Sequence, residues 1–338
     1  MVINDKYLVS ICIPTYNGAK YITKCIQSCI IQSYSNIEII INDDGSTDNT
    51  MEVLKELEKK DSRIRINQNQ KNLGLVGNWN ATLALAKGEY VKWLFQDDWM
   101  EPNAIEEFIK WAHKGYDFII SKRNFVLDKN ASKADLDYYS EGVKKLEDHF
   151  ILTEDDCSYF IPKEIAQFAT QYIALNFIAE PSLIFFKKDL INRVGLYDNK
   201  LQQICDLEYN LRLASVAGVF VINKPLCYFA IHSNSTTNSN ITNKYFHLRF
   251  IEQAYYAYKV LNNSSFNLLQ KALSKSQKLK LAIYYKFRMY EAKKYAIKNN
   301  CINLYDQSLA NYPELKPSFS DKMLFAPLFA AISLVKSR

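Results

Sequence analysis

Apolar runs and amphipathic stretches alternate along the first third of the chain. "YLVSICIP" (7–14) is rich in β-branched residues and is stopped by Pro14, which predicts a buried strand. Residues 19–33 follow with apolar side chains at Ile22, Cys25, Ile26, Cys29 and Ile30, the spacing of a helix. "IEIIIN" (37–42) predicts a second buried strand, and Ser46, Thr47 and Asp48 are cap residues for a helix over about 49–60. "RIRINQ" (63–68) reads as a third strand, 75–87 as a helix closed by Gly88, and "EYVKWLFQ" (89–96) as a fourth strand. Strand and helix in regular turn predict a mostly parallel α/β sheet with helices on both faces.

The pattern then changes. Residues 100–180 are more polar and less regular, and "NASKADLDYYSEG" (130–142) reads as a loop or insertion. Residues 181–198 return to strand and then helix, and 218–232 reads as a strand pair broken at Pro225. The polar "HSNSTTNSN" (232–240) places a boundary, after which the pattern is helical. Two regions are expected: an α/β domain over 1–240, with halves meeting near residue 100, and a helical region over 241–338.

The bulk properties narrow the class. With 338 residues and 48% hydrophobic content the chain can bury a full core, and 23% charged residues argue against wholesale disorder. Seven scattered cysteines, with no C-x-x-C, read as reduced thiols rather than a disulfide framework. Cys25 and Cys29, four apart, share a helix face, and small buried apolar groups are the simpler reading of them than a metal pair. No basic segment precedes the first apolar run, and no stretch reaches the ~20 apolar residues of a spanning helix, so a cytoplasmic protein is expected. The nearest, residues 323–335, contains a proline. The net charge of +6 permits an anionic partner, although no nucleic-acid partner is expected. Residues 271–298 hold nine Lys and Arg against Glu291 alone, either a solvated face or a surface for anionic lipid at the inner face of the membrane.

Candidate chemistry sits where three predicted strands end: "PTYNG" (14–18), "NDDGSTD" (42–48) and "QDDW" (96–99). Ligands of open α/β sheets bind beyond the carboxyl ends of the strands. One such end is an ordinary turn, but three on one rim converge. No G-x-G-x-x-G follows the first strand and no P-loop motif occurs. Carboxylates hold a divalent cation, which in turn holds a diphosphate, so Asp97 and Asp98 point to Mn²⁺ or Mg²⁺.

These residues carry a resemblance. "VSICIPTYNGAKYITKCIQSCIIQSYSNIEIIINDDGSTDNT" resembles the start of the family 2 glycosyltransferases, and "KNLGLVGNWNATLALAKGEYVKWLFQDDW" resembles their next block, ending in the D-x-D-type metal motif. "IAEPSLIFFKKDLINRVGLYDNKLQQICDLEYNLRLA" resembles the acceptor-side block and "PLCYFAIHSNSTT" the closing segment, so that the likeness covers about residues 8–240. It implies a GT-A fold and transfer of a sugar, with inversion, from a nucleotide-sugar. Carried over by position, Pro14, Thr15 and Asn17 line the nucleotide, Asp44 contacts its base, and Asn72, Gly74 and Asn80 flank the donor. Asp97 and Asp98 face the metal and the ribose or diphosphate, His232 approaches the metal or diphosphate, and Asp206 is the catalytic base. Phe95, Cys205 and Ala230 depart from the commonest pattern, where Asp, Glu and Arg stand.

The resulting expectation is a metal-dependent inverting glycosyltransferase. It would use a UDP-linked donor and a glycan acceptor, lipid-linked and destined for a surface polysaccharide. Two other classes fit parts of the pattern. A nucleotidyltransferase would show a glycine-rich basic loop after its first strand, which "PTYNG" is not. A non-catalytic sugar-binding relative would have no need of Asp206.

Overall fold

The computed structural model describes residues 6–128, 146, 157–173, 175–232 and 246–315. The expected loop at 130–142, most of 232–240 and the apolar stretch 323–335 lie outside them. The chain divides into two compact units: residues 1–165, 175–199 and 205–233, and residues 166–174, 200–204 and 234–338.

The first unit is built on one sheet, nine-stranded among the described residues. β1 (Val9–Thr15), β2 (Ile37–Asp43), β3 (Ile64–Gln68) and β4 (Tyr90–Trp93) are mutually parallel. Every residue of β1, β2 and β4 is buried, which is why these strands read as continuous apolar runs rather than alternating ones. α1 (Ile22–Ile30), α2 (Thr50–Glu58) and α3 (Gly74–Leu85) connect them. Parallel neighbours need crossovers, so the ends of β1, β2 and β4 all fall on one rim. β5 (Trp99–Met100), α4 (Ala104–Ala112), β6 (Phe118–Leu127), β7 (Cys157–Phe160) and α5 (Pro162–Gln171) follow. β8 (Ile184–Lys187) runs antiparallel between β4 and β6. α6 (Leu190–Val194), α7 (Cys205–Ala217) and β9 (Val219–Ile231) complete the unit, and the strand order is β3-β2-β1-β4-β8-β6-β9-β5 with β7 paired to β9.

Three expectations are corrected. Residues 218–232 form one strand, not a pair. Pro225 falls where the β6–β9 register shifts, between the pairs Ser121↔Ile222 and Arg123↔Cys227, because a bulge tolerates the missing N–H. Gly88 does not cap α3, which ends at Leu85 with Ala86 extended. A Cβ at Gly88 would lie 2.6 Å from the Leu8 carbonyl and 2.7 Å from the Ser10 nitrogen, so the residue is small because β1 passes against it. The cap position of α2 is Asn49, while Asp48 receives the Thr50 N–H at 3.0 Å. Cys25 and Cys29 are buried in α1 and the Cys29 thiol bonds the Cys25 carbonyl.

The second unit is helical among its described residues: α8 (Phe246–Asn262), α9 (Asn267–Ala272), α10 (Lys275–Lys298) and α11 (Ile302–Ala310). α10 packs along α8 and starts with a reciprocal capping box between Ser274 and Gln277. The buried Glu252 of α8 accepts the backbone N–H groups of Gln202, Gln203 and Ile204 at 3.0, 2.8 and 3.2 Å. No helix among the described residues is long and apolar enough to cross a membrane.

Candidate active site

The rim begins with the loop after β1. Thr15 donates to the Gln96 side-chain oxygen, which also receives the Tyr16 N–H at 3.0 Å. Gln96 thus ties the end of β1 to the segment after β4. Gly18 leaves room for this, since a Cβ there would run into the Gln96 oxygen. Asn17 sits at φ +48°, in the left-handed region that asparagine tolerates. Its backbone N–H donates to Ser46 Oγ at 2.8 Å and its side-chain Oδ1 accepts the Thr47 N–H at 2.8 Å. The loops after β1 and β2 are therefore one joined structure.

The two aspartates of the second loop do different things. Asp43 is fully buried and accepts from Ser46 and Gln68. Asp44, also buried at 2% exposed, receives Asn69 Nδ2 and the Leu73 N–H, both at 2.8 Å and both on Oδ1. Beneath it runs a buried amide network: Asn67 donates to Asn42, Asn42 donates to Asn78 at 2.7 Å, and Asn78 donates to the Thr15 carbonyl at 3.2 Å. Pro14, buried at the end of β1, pairs in register with Asn42. Asn72 closes its own turn onto the Gly74 N–H at 2.9 Å, and Gly74 adopts φ +75°. Asn80 clasps the backbone of Tyr197, receiving its N–H at 2.9 Å and donating to its carbonyl at 3.0 Å.

The pair Asp97–Asp98 splits by environment. Asp98 is buried: Ser182 Oγ donates to its Oδ2 at 2.5 Å and the Ala230 N–H to its Oδ1 at 2.9 Å. Burial pushes its carboxyl well above the usual range, and neighbouring Asp97 pushes the same way against those two donors. Ser182 also accepts the Phe95 N–H at 3.0 Å, and its carbonyl accepts from the buried ammonium of Lys92. Asp97 keeps 24% of its side chain exposed and meets His232 Nε2 at 2.9 Å. His232 follows directly after β9 and is stacked on Tyr21, ring centroids 4.6 Å apart. By bonding Ala230, Asp98 anchors the end of the strand that carries His232 and so sets where His232 meets Asp97.

Among the described residues no three His, Cys, Asp or Glu side chains gather to hold a metal. The chemistry of the donor set still suits one. Asp97 Oδ2 and His232 Nε2 are two adjacent donors at a partly open edge. A hard divalent cation bound with a nucleotide commonly takes only one or two protein ligands, the phosphates and water supplying the rest.

Asp206 lies in the first turn of α7, half-buried, and receives Asn176 Nδ2 at 2.9 Å. The other nearby acids are engaged elsewhere. Glu208 is fully buried in an ion pair with Arg212, whose guanidinium also donates to the carbonyls of Val194 and Leu196. Glu180 accepts Arg123 Nε at 2.9 Å. The departures from the family pattern have local reasons. Phe95 packs on Trp79 at 4.8 Å and Cys205 is buried, while Ala230 serves through its N–H. Sequence reasoning left Gln96, Ser182, Lys92 and Tyr21 without roles. Gln96 stood within a quoted motif, but Ser182 meets Asp98 across 84 residues, a pairing with no local signal.

The family model described as "Glycosyl transferase family 2" matches residues 10–187, more than half of the chain. The chain belongs to glycosyl transferase family 2. It is 29% identical over 289 residues to a Campylobacter jejuni GalNAc(5)-diNAcBac-PP-undecaprenol beta-1,3-glucosyltransferase, covering 84% of this chain and 82% of that one. It spans only 11% to 55% of the length of four other curated relatives that it matches. Two solved structures share the fold. One is Pyrobaculum calidifontis mannosyltransferase PcManGT in complex with GDP-Man and Mn²⁺, with TM-score 0.57, 16% identity, and 99% of this chain and 83% of that one covered. The other is residues 1–349 of S. aureus TarS in complex with UDP-GlcNAc, with TM-score 0.56, 15% identity and 91% of each covered. The mostly parallel sheet with flanking helices is the GT-A arrangement of these neighbours, here followed by a helical C-terminal region.

Proposed function

We propose that this family 2 chain is an inverting glycosyltransferase that moves a sugar from a UDP-linked donor to a hydroxyl of a lipid-linked glycan. The observation that carries the reading is the paired Asp97 and His232 on the rim where β1, β2 and β4 end, in a chain whose α7 opens with a half-open carboxylate at Asp206. The acceptor class draws support from the undecaprenol-linked substrate in the name of the Campylobacter relative, and the donor class from the UDP-GlcNAc complex of TarS. Synthesis of a surface polysaccharide is the setting that joins the two.

In this reading the base lies against Asp44. Asn69 and Leu73 hold one carboxylate oxygen, which aims the other at a ring N–H donor such as N3–H of uracil. Pro14, Thr15 and Asn17 form the wall beside it, and Asn72, Gly74 and Asn80 hold the shape of the opposite edge. Asp97 and His232 would hold Mn²⁺ or Mg²⁺, with Asp98 fixing their spacing. Such a cation supplies charge neutralisation to a departing diphosphate. Asp206 accepts the proton of the acceptor hydroxyl as that oxygen forms its bond to the anomeric carbon. The bond to the diphosphate oxygen breaks on the opposite face, and its electron pair leaves with the nucleotide.

The test is release of UDP from a panel of UDP-sugars with Mn²⁺ and an undecaprenyl-diphosphate-linked glycan. Wild type should release UDP with glycan extension, and Asp206→Asn should bind UDP while releasing little. Release without extension, unchanged in Asp206→Asn, would contradict the reading.

A further inference from the structure

α10 is apolar on two opposite faces. At about 100° per residue, Leu281, Ala292 and Ala296 fall together on the side that packs into the helical unit. Leu279, Ile283 and Ile297 fall together on the other side and are 61%, 37% and 59% exposed. The distribution explains why a 24-residue helix with many apolar residues shows little one-sided character. These residues lie on a line nearly parallel to the helix axis, and between Ile283 and Ile297 the same line holds Lys286 and the half-buried Tyr290. From Leu279 to Ile297 it extends roughly 27 Å at 1.5 Å per residue. Exposed lysines flank it on both sides, Lys275 and Lys293 along one edge and Lys280 and Lys298 along the other. The acid of the helix, Glu291, projects beyond that second edge and is paired with Arg288 at 2.5 Å.

We propose that this face of α10 lies on an anionic lipid surface. A lysine-rimmed face with Leu279, Ile283, Tyr290 and Ile297 along its middle, and Lys286 and Lys294 among them, fits a plane rather than a pocket. The apolar side chains enter the boundary between headgroups and acyl chains, while the lysine stems let their charges reach the phosphates. The charge argues against a second copy of this chain as the occupant. Apposing two such faces would set lysine rows against lysine rows with no acid between them. The proposal deepens the lipid-linked acceptor reading by bringing the enzyme to the surface where such acceptors reside. It is tested without donor or turnover, so its failure and the failure of the catalytic reading are separable.

The experiment is co-sedimentation of the full chain with vesicles of phosphatidylcholine alone or mixed with phosphatidylglycerol, at low and high salt. Wild type should partition at least about tenfold more strongly onto the mixed vesicles, and less so as salt rises. Leu279→Ser with Ile297→Ser should lower that partitioning by about tenfold or more. Lys280→Glu with Lys298→Glu should abolish the preference for the anionic lipid. All four positions are exposed, so circular dichroism and melting should match wild type. Equal or negligible binding to both vesicle types overturns the proposal, as does wild-type binding by both double variants. So does a wild-type oligomer that dissociates in the Leu279/Ile297 variant while vesicle binding is absent.

Discussion

The division of labour between Asp98 and Asp97 yields opposite signatures in two assays. In Ser182→Ala, the hydroxyl that donates to Asp98 and accepts from the Phe95 N–H is lost. Ser182 is 1% and Asp98 3% exposed, so water does not readily replace it. A buried polar group left without its partner costs about 1–3 kcal/mol. Two such groups place the expected destabilisation at about 2–6 kcal/mol, measured by urea unfolding with unchanged m-value. The bond from Lys92 survives, because it is made to the Ser182 backbone carbonyl. Asp97→Ala removes a side chain that is 24% exposed and paired with His232. His232 is 4% exposed, so one buried group loses this partner and the cost should be about 1–3 kcal/mol, below that of Ser182→Ala. Yet the gain in UDP affinity on adding Mn²⁺, read by calorimetry, should be lost in Asp97→Ala, while UDP alone binds as before. If Ser182→Ala unfolds within about 0.5 kcal/mol of wild type, the reasoning about the buried network is wrong. If Asp97→Ala keeps metal-dependent binding and Asp98→Asn loses it at unchanged stability, the roles are reversed.

Other consequences are as specific. Asp206→Asn should leave UDP and metal binding near wild type and lower transfer at saturating donor by about a hundredfold to ten-thousandfold, with Asp206→Glu recovering little. Asp44→Ala should raise the Kd for UDP by about tenfold or more, the loss of one charge-assisted hydrogen bond, and reduce discrimination against nucleotides lacking an N–H at that edge. Glu38 provides a pH test far from the rim. Burial pushes its carboxyl up, but the Ser10 hydroxyl, the Lys87 N–H and Arg65 outweigh it and hold the group below its usual range. A depressed carboxylate contributes stability that is complete above its unfolded value, about 4.3, and is lost as pH falls through the folded one. Glu38→Gln should therefore be less stable than wild type at pH 7 in urea titrations, with the gap closing below about pH 4.3.

Much of the fold was legible because burial leaves a linear trace. The runs 7–14 and 37–42 are fully covered parallel strands, and such strands carry apolar residues at every position rather than every second one. The polar ends of β1, β2 and β4 were readable as one rim because parallel strands joined by crossovers must end on the same side. Where local preference met a tertiary demand, the demand prevailed. Gly88 looked like a helix cap and is instead a gap for β1, and Pro225 looked like a break and is accommodated in a bulge. The site divides the same way. That carboxylates, a histidine and amides gather on the rim follows from the order of the residues along the chain. Which of two adjacent aspartates faces outward does not, for both have the same chemistry and the same neighbours in sequence. That was decided by Ser182 and Ala230, which reach Asp98 across 84 and 132 residues and leave Asp97 to meet His232, because hydrogen bonds of this kind exist only once distant strands have been packed side by side.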